Sequence, residues 1–287
     1  MRLTADTPSL SEVIRVGFIG LGDMGGALAT RIAGAGFPTV LWARRPEALA
    51  SFAGPGVETA CTPAELAAGV DMVGVCVWDD DAVRDVMYGT DGVLAGCRPG
   101  TVIAIHSTVH PHTCEVLAEK AAKSAAVVLD APVSGGRDVA LAGQLVVAVG
   151  GDDGAFERVR PVLASFGDPV VHVGPLGAGQ LAKLVNNALL AANVALANDA
   201  LAVAHSLGLD AEAIVEVLRR GSGRSYALDV AFASRNSAAI RKQTATPLAK
   251  DVGCLNAVLG ELAEGTVLTF AAGVGVRRLE DAERWTW

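Results

Sequence analysis

Apolar and polar positions along the chain fall into two regimes. In the first, short apolar runs recur at Val13–Ile19, Thr39–Trp42, Asp71–Val77, Gly100–Ile105, Ala126–Leu129, Leu145–Val149 and Pro169–Val173. Short, continuous apolar runs read as strands buried on both faces. Between them lie stretches with helical spacing, such as GALATRIAGAG before the second run and Asp152–Phe166 before the last. Alternating strands and helices predict a doubly wound, mostly parallel α/β sheet. The second regime begins after Gly174-Pro175-Leu176-Gly177, beyond which no convincing strand appears. The predicted organisation is a loose tail over 1–13, a sheet domain over 14–175 and an all-helical domain over 176–287.

The helical domain opens with GAGQLAKLVNNALLAANVALANDALAVAHSLGL, rich in Ala and Leu and free of Pro. It predicts one long helix over 178–207. Leu181, Leu184, Val185, Ala188, Ala192, Ala195 and Leu196 follow helical spacing, but Lys183, Asn186 and Asn187 interrupt them. Lys183 and Asn187 are four apart and share a face. An amine and an amide in an apolar helix start are costly unless used; a lysine snorkelling to water is the ordinary alternative. Lys183, the Asn residues, Asp199 and His205 argue against a membrane span. Further helices are expected over Ala211–Arg220 and Pro247–Leu262. The adjacent pair Lys250-Asp251 falls in the latter and, by itself, reads as solvated surface.

Composition narrows the class. A length of 287 residues allows one large or two modest domains. A net charge of -8 does not suggest a nucleic-acid binder. Cys61, Cys76, Cys97, Cys114 and Cys254 are scattered without a CxxC pair, which suggests a reduced, cytoplasmic chain. The polar opening MRLTADTPSLSE lacks the apolar segment of a secretion signal.

The first strand runs into Gly20-Leu21-Gly22-Asp23-Met24-Gly25 and then a helix. GxGxxG between strand and helix points to a dinucleotide: glycines admit the pyrophosphate, and the helix N-terminus offers free N–H groups. The N-terminal domain is therefore read as Rossmann-like. At the end of the second strand, where an acid usually holds the ribose of NAD, stand Arg44 and Arg45. Two guanidinium groups suit a 2′-phosphate, so NADP is expected in preference to NAD. Asp79-Asp80-Asp81 sits at a helix start, where Asp caps. His106, His110 and His112 lack an HExxH or carboxylate pattern, so no metal is expected. Ser134-Gly135-Gly136 follows a strand and could present N–H groups and a hydroxyl to a carboxylate.

Four stretches together resemble the β-hydroxyacid dehydrogenase family: VGFIGLGDMGGALA, DAPVSGG, GAGQLAKLVNN and AKD at 249–251. Their order and spacing agree over about residues 14 to 280. The resemblance implies that Gly20, Gly22, Met24 and Gly25 bind the cofactor; Leu21 and Asp23 of the same loop, the Arg44-Arg45 pair, Val77 and Trp78 complete the expected cofactor-binding set. It places Ser107, Thr108 and Lys250 near the nicotinamide, and Ser134, Gly135, Gly136 and Asp251 on the substrate. The family's catalytic Lys falls on Lys183 and its Asn partner on Asn187. Trp78 and His106 depart from residues common at those positions, and Gly223-Arg224-Ser225-Tyr226 resembles a loop that closes over substrate.

The implied reaction is hydride transfer between a nicotinamide and a small 3-hydroxy acid resembling 3-hydroxyisobutyrate, with Lys183 as general acid/base. A free lysine titrates too high for this near neutrality, so partial burial is expected. Reduction of small aldehydes such as glyoxylate or succinic semialdehyde is the nearest alternative. Imine reduction is weakened by the presence of Lys183, and a non-catalytic dinucleotide-binding module by that of Lys183 and Asn187. The expected partners are a small carboxylate substrate and a second copy of the chain, as homodimer or homotetramer, with no nucleic acid and no membrane.

Overall fold

The computed structural model describes residues 14–52, 54–235 and 237–281; the tail expected at 1–13 lies outside them. The chain divides into two compact units, Met1–Lys183 and Leu184–Trp287.

The first unit is built on nine strands: β1 (Val16–Ile19), β2 (Thr39–Trp42), β3 (Val57–Thr59), β4 (Met72–Val75), β5 (Val102–Ile105), β6 (Val127–Asp130), β7 (Val133–Ser134), β8 (Leu145–Gly150) and β9 (Gly167–Gly174). Their order is β3-β2-β1-β4-β5-β6-β8-β7, with β9 on β8. From β3 to β6 every pairing is parallel. The sheet then turns, since β8 pairs antiparallel with β6 and β7 while β9 runs parallel to β8. The pattern of apolar runs does not reveal that reversal, because β7 is only two residues long.

The helices of this unit are α1 (Asp23–Gly34), α2 (Pro63–Ala68), α3 (Asp80–Met87), α4 (Val93–Gly96), α5 (Pro111–Ala121), α6 (Arg137–Leu141) and α7 (Asp153–Leu163). Asp79 caps α3 by accepting from Ala82 N, as the acidic run suggests. At Pro46 the chain forms a 3-10 turn, Pro46–Phe52, in place of an α-helix. Successive strand residues face opposite sides. Val16, Phe18, Val102 and Ala104 pack with Leu28 and Ile32 of α1 and Val159 and Leu163 of α7. Val73, Val75, Ile103 and Ile105 pack with Leu66 of α2, Val83 of α3 and Leu117 of α5. The central strands β1, β4 and β5 are thus buried on both faces, which explains why they read as unbroken apolar runs, whereas β9 at the edge alternates half-buried and exposed positions.

The long helix α8 (Ala178–Ser206) passes from one unit into the other. Its first residues count with the sheet because Asp130, at the end of β6, accepts from Gly177 N at 2.7 Å and Gln180 N at 2.6 Å. Among described residues α8 is the one helix long and apolar enough to cross a bilayer by length and composition.

The second unit continues with α9 (Ala211–Arg220), α10 (Tyr226–Arg235), α11 (Ala238–Leu259) and α12 (Val267–Glu280), with no strand among its described residues. Leu184, Ala188, Ala191, Val194 and Leu201 of α8 form the spine of its core, covered by Val215, Leu228, Ala231, Leu248, Val252, Leu255 and Ala272. Gly275 of α12 lies so close to the Ala191 carbonyl that any side chain there would collide with it. The sequence reading starts a helix at Pro247, whereas α11 begins at Ala238 and carries Pro247 inside it. Ser237, accepting from Ile240 N, is the cap that sets the true start.

Candidate active site

Loops leaving the C-terminal ends of β1, β2 and β4 line a cavity of ≈ 560 Å³. Gly20, Leu21 and Gly22 come from the first, Trp42, Arg44 and Arg45 from the second, and Val77 and Trp78 from the third. Gly20 sits at φ +95, a left-handed conformation that suits glycine. A side chain at Gly25 would strike the Gly20 carbonyl, so the helix can start this close to the strand only with glycine there. Gly22, the N-cap of α1, faces open space and offers no side-chain cap. First-turn N–H groups uncapped by a side chain, beside an open glycine, fit a dinucleotide pyrophosphate. Arg44 and Arg45 are exposed on the same cavity, and no acid stands with them at the strand end.

The other members of the glycine loop are placed differently. Asp23 points to Arg137, 3.7 Å away, and Met24 packs against the core. Residues that the sequence reading did not single out also line the cavity, notably Trp42, Pro63 and Tyr88. Trp42 ends β2 and donates to the Cys61 carbonyl; an aromatic at a strand's carboxyl end is a legible signal. Tyr88, under the Lys120 amine at 4.3 Å, follows the end of α3 and carries no local signature.

Further along the same edge of the sheet, β5 delivers Ser107 and Thr108. Ser107 is buried, and its hydroxyl accepts from Val77 N at 2.8 Å, tying two of the expected cofactor segments together. The Ser107 carbonyl accepts from Gln180 Nε2 at 2.9 Å. Before Ser107, His106 is buried between Phe18, stacked at 5.9 Å, and Phe166, edge-on at 5.5 Å. Its Nδ1 lies 2.8 Å from the Ala131 carbonyl, and burial lowers its pKa to about 4. It is a neutral core residue, not a metal ligand, and the described residues hold no cluster of metal-ligating side chains.

Strand β7 delivers Ser134, and the first turns of α8 deliver Lys183. Lys183 Nζ donates to Ser134 Oγ at 2.9 Å, across 49 residues of sequence. Gly135 and Gly136 follow with φ +141 and +86, conformations that expose the loop's backbone. Lys183 is half-buried. Beneath this pair burial raises the Asp130 pKa, opposed by the backbone N–H groups it accepts from.

The second unit holds its own polar cluster. Asp251, only 2% exposed, accepts from Asn187 Nδ2 at 2.6 Å and pairs with Lys250 at 3.1 Å. A carboxylate only accepts, so it fixes which end of the Asn187 amide faces it. Asn186 donates to Asn187 Oδ1 at 3.1 Å. The adjacent charges at 250 and 251 are thus not a solvated pair; one of them is a buried anchor.

Comparison with known proteins agrees with both halves. Residues 15–174 match the NAD-binding domain of 6-phosphogluconate dehydrogenase. Residues 177–280 match the NAD-binding domain of NADP-dependent 3-hydroxyisobutyrate dehydrogenase. The chain is 36% identical over 220 residues to 2-(hydroxymethyl)glutarate dehydrogenase of Eubacterium barkeri, covering 77% of this chain and 73% of that one. The structure of Mycobacterium tuberculosis 3-hydroxyisobutyrate dehydrogenase with L-serine superposes with a TM-score of 0.79 at 28% identity, covering 94% and 95% of the two chains. Psf3 in complex with NADP+ and 2-OPP superposes with a TM-score of 0.81 at 28% identity, covering 92% and 93%.

Proposed function

The chain belongs to the β-hydroxyacid dehydrogenase family, and on that premise we propose that it interconverts a small 3-hydroxy acid and its aldehyde with NADP as the preferred dinucleotide. The observation that carries this reading is the Lys183–Ser134 hydrogen bond, 2.9 Å long and in the same unit as the glycine cradle. It brings the one amine of the α8 start to a loop suited to a carboxylate.

A bound nicotinamide supplies the hydride acceptor for oxidation and the donor for reduction. The protein's residues supply the proton chemistry. In oxidation the neutral Lys183 amine takes the hydroxyl proton as the carbonyl forms; in reduction the ammonium returns it. Ser134 and the N–H groups of Gly135 and Gly136 hold the substrate carboxylate, which fixes the face offered for hydride transfer. Ser134 also accepts from Lys183, so the group that anchors the carboxylate aims the base. Within the second unit, Asp251 holds both Asn187 and Lys250. Arg44 and Arg45, exposed on the cavity, would hold the 2′-phosphate of NADP. The helix α8 serves as the spine of a helical core.

A spectrophotometric screen tests the reading. Both dinucleotides are offered with 3-hydroxy acids in oxidation and with small aldehydes in reduction. Turnover is expected with at least one 3-hydroxy acid, with higher kcat/KM for NADP. Turnover confined to imines would refute the substrate class.

A further inference from the structure

Gln180 is fully buried; both ends of its side-chain amide bind the backbone of one loop, and the amide also bonds the Cys114 thiol of α5. Nε2 donates to the Ser107 carbonyl at 2.9 Å, and Oε1 accepts from Val109 N at 3.0 Å. Its own N–H donates to Asp130 Oδ2 at 2.6 Å, and Asp130 Oδ1 accepts from Gly177 N at 2.7 Å. Ser107 in turn accepts from Val77 N. The Gln180 amide therefore joins the first turn of α8 to the loop after β5, and Ser107 Oγ joins that loop to the one after β4. The fit is close, because a side chain at Gly179 would come within 2.8 Å of Asp130 Oδ2.

Helix capping alone does not require this glutamine. Asp130 already satisfies the α8 amides, and a leucine or methionine would fill the same space without a buried amide. What Gln180 adds is a fixed link between two backbone groups past the end of β5 and a helix turn whose rotation aims Lys183, three residues on. We propose that Gln180, backed by Asp130, is a positioning residue that locks the start of α8 to the 107–109 loop and so sets Lys183 against the nicotinamide-facing segment. This rests on the functional reading above, in which Lys183 moves the proton and Ser107-Thr108 face the nicotinamide.

The test uses the full chain with Gln180→Met, which keeps volume and removes the side-chain amide's bonds. Active sites are counted by binding of 2′-phospho-ADP-ribose, a fragment that lacks the nicotinamide. The expected result is a fall in kcat per binding site of roughly 30-fold, the scale of a sub-ångström to ångström misplacement, with the fragment's Kd within about twofold of wild type. A merely structural glutamine would lower the melting temperature yet leave kcat per site unchanged, and kcat within about threefold of wild type overturns the proposal. Should the variant not fold, amide hydrogen exchange on the wild-type chain decides. Val109 and Gln180 amides exchanging as slowly as those of β5 support the link, and exchange at exposed-loop rates refutes it. Wild-type turnover with an unaffected Gln180→Met overturns this inference alone. Absence of any wild-type turnover overturns the functional reading, and the inference with it.

Discussion

Arg44 and Arg45 stand at the end of β2, where an acidic residue would accept from a ribose hydroxyl and repel a phosphate. Exposed on the cavity wall, they are available to a charged ligand. Hydrogen bonds to charged groups contribute about 1.5–3 kcal/mol each. Replacing both with alanine is therefore expected to lower the NADP-over-NAD ratio of kcat/KM by roughly tenfold or more, with kcat at saturation little changed. An unchanged ratio would take the 2′-phosphate away from these residues.

His106 governs a different property. Its pKa falls from the ordinary 6.5 to about 4 because the ring is buried between two phenylalanines. Between these values the unfolded chain binds a proton that the native chain does not. Stability is therefore retained above pH 6.5 and lost as pH falls toward 4, by about 3 kcal/mol at the bottom of the window. Urea midpoints taken across that range should decline for wild type and decline less for His106→Gln. Equal slopes for the two would assign the pH dependence elsewhere.

At the scale of elements, the start of α8 organises the proposed site. Gly179 sits where a side chain would meet the Ala148 carbonyl at 2.5 Å and Asp130 Oδ2 at 2.8 Å. Gly179→Ala is expected to destabilise the sheet unit by about 1–3 kcal/mol, seen as a lower thermal midpoint, and to depress kcat by tilting the turn that carries Lys183. A variant with wild-type Tm and kcat would show that the turn has slack. Much of this element was legible. The absence of Pro, the apolar spacing and the Gly174-Pro175-Leu176-Gly177 entry define its length to within one residue of the observed end. The partners of its polar residues were not, because Lys183–Ser134 and Asn187–Asp251 join positions 49 and 64 residues apart. Periodicity reports which residues face inward, not what they meet. For the same reason Asp251 looked like surface, and Gln180 went unnoticed beside a lysine. Strand β7 escaped because two residues make no pattern, and α11 began early because Ser237 caps it upstream of a proline that helices usually exclude.

The whole chain reads as two regimes in sequence and as two units in structure. The helical unit also carries Val185, Leu189, Leu196 and Val203 on α8, all exposed, with seven-residue spacing through Leu189, Leu196 and Val203. Such spacing puts them on one side of α8. We propose that a second copy of the chain covers this stripe. Sedimentation at micromolar concentration should show a dimer or larger assembly for wild type and a lighter species for Leu196→Glu, whereas a monomeric wild type would contradict it.

The proton transfer of the proposed reaction passes through the amine on the α8 start. The most direct measurement is kcat of Lys183→Met with saturating dinucleotide and the best 3-hydroxy acid from the screen, beside dinucleotide affinity. The expected loss is about 10³-fold, within the usual range for removing a general acid/base, with dinucleotide Kd within about twofold of wild type. A variant that keeps kcat within about tenfold of wild type would contradict the assignment and leave a dinucleotide-binding chain whose proton chemistry lies elsewhere.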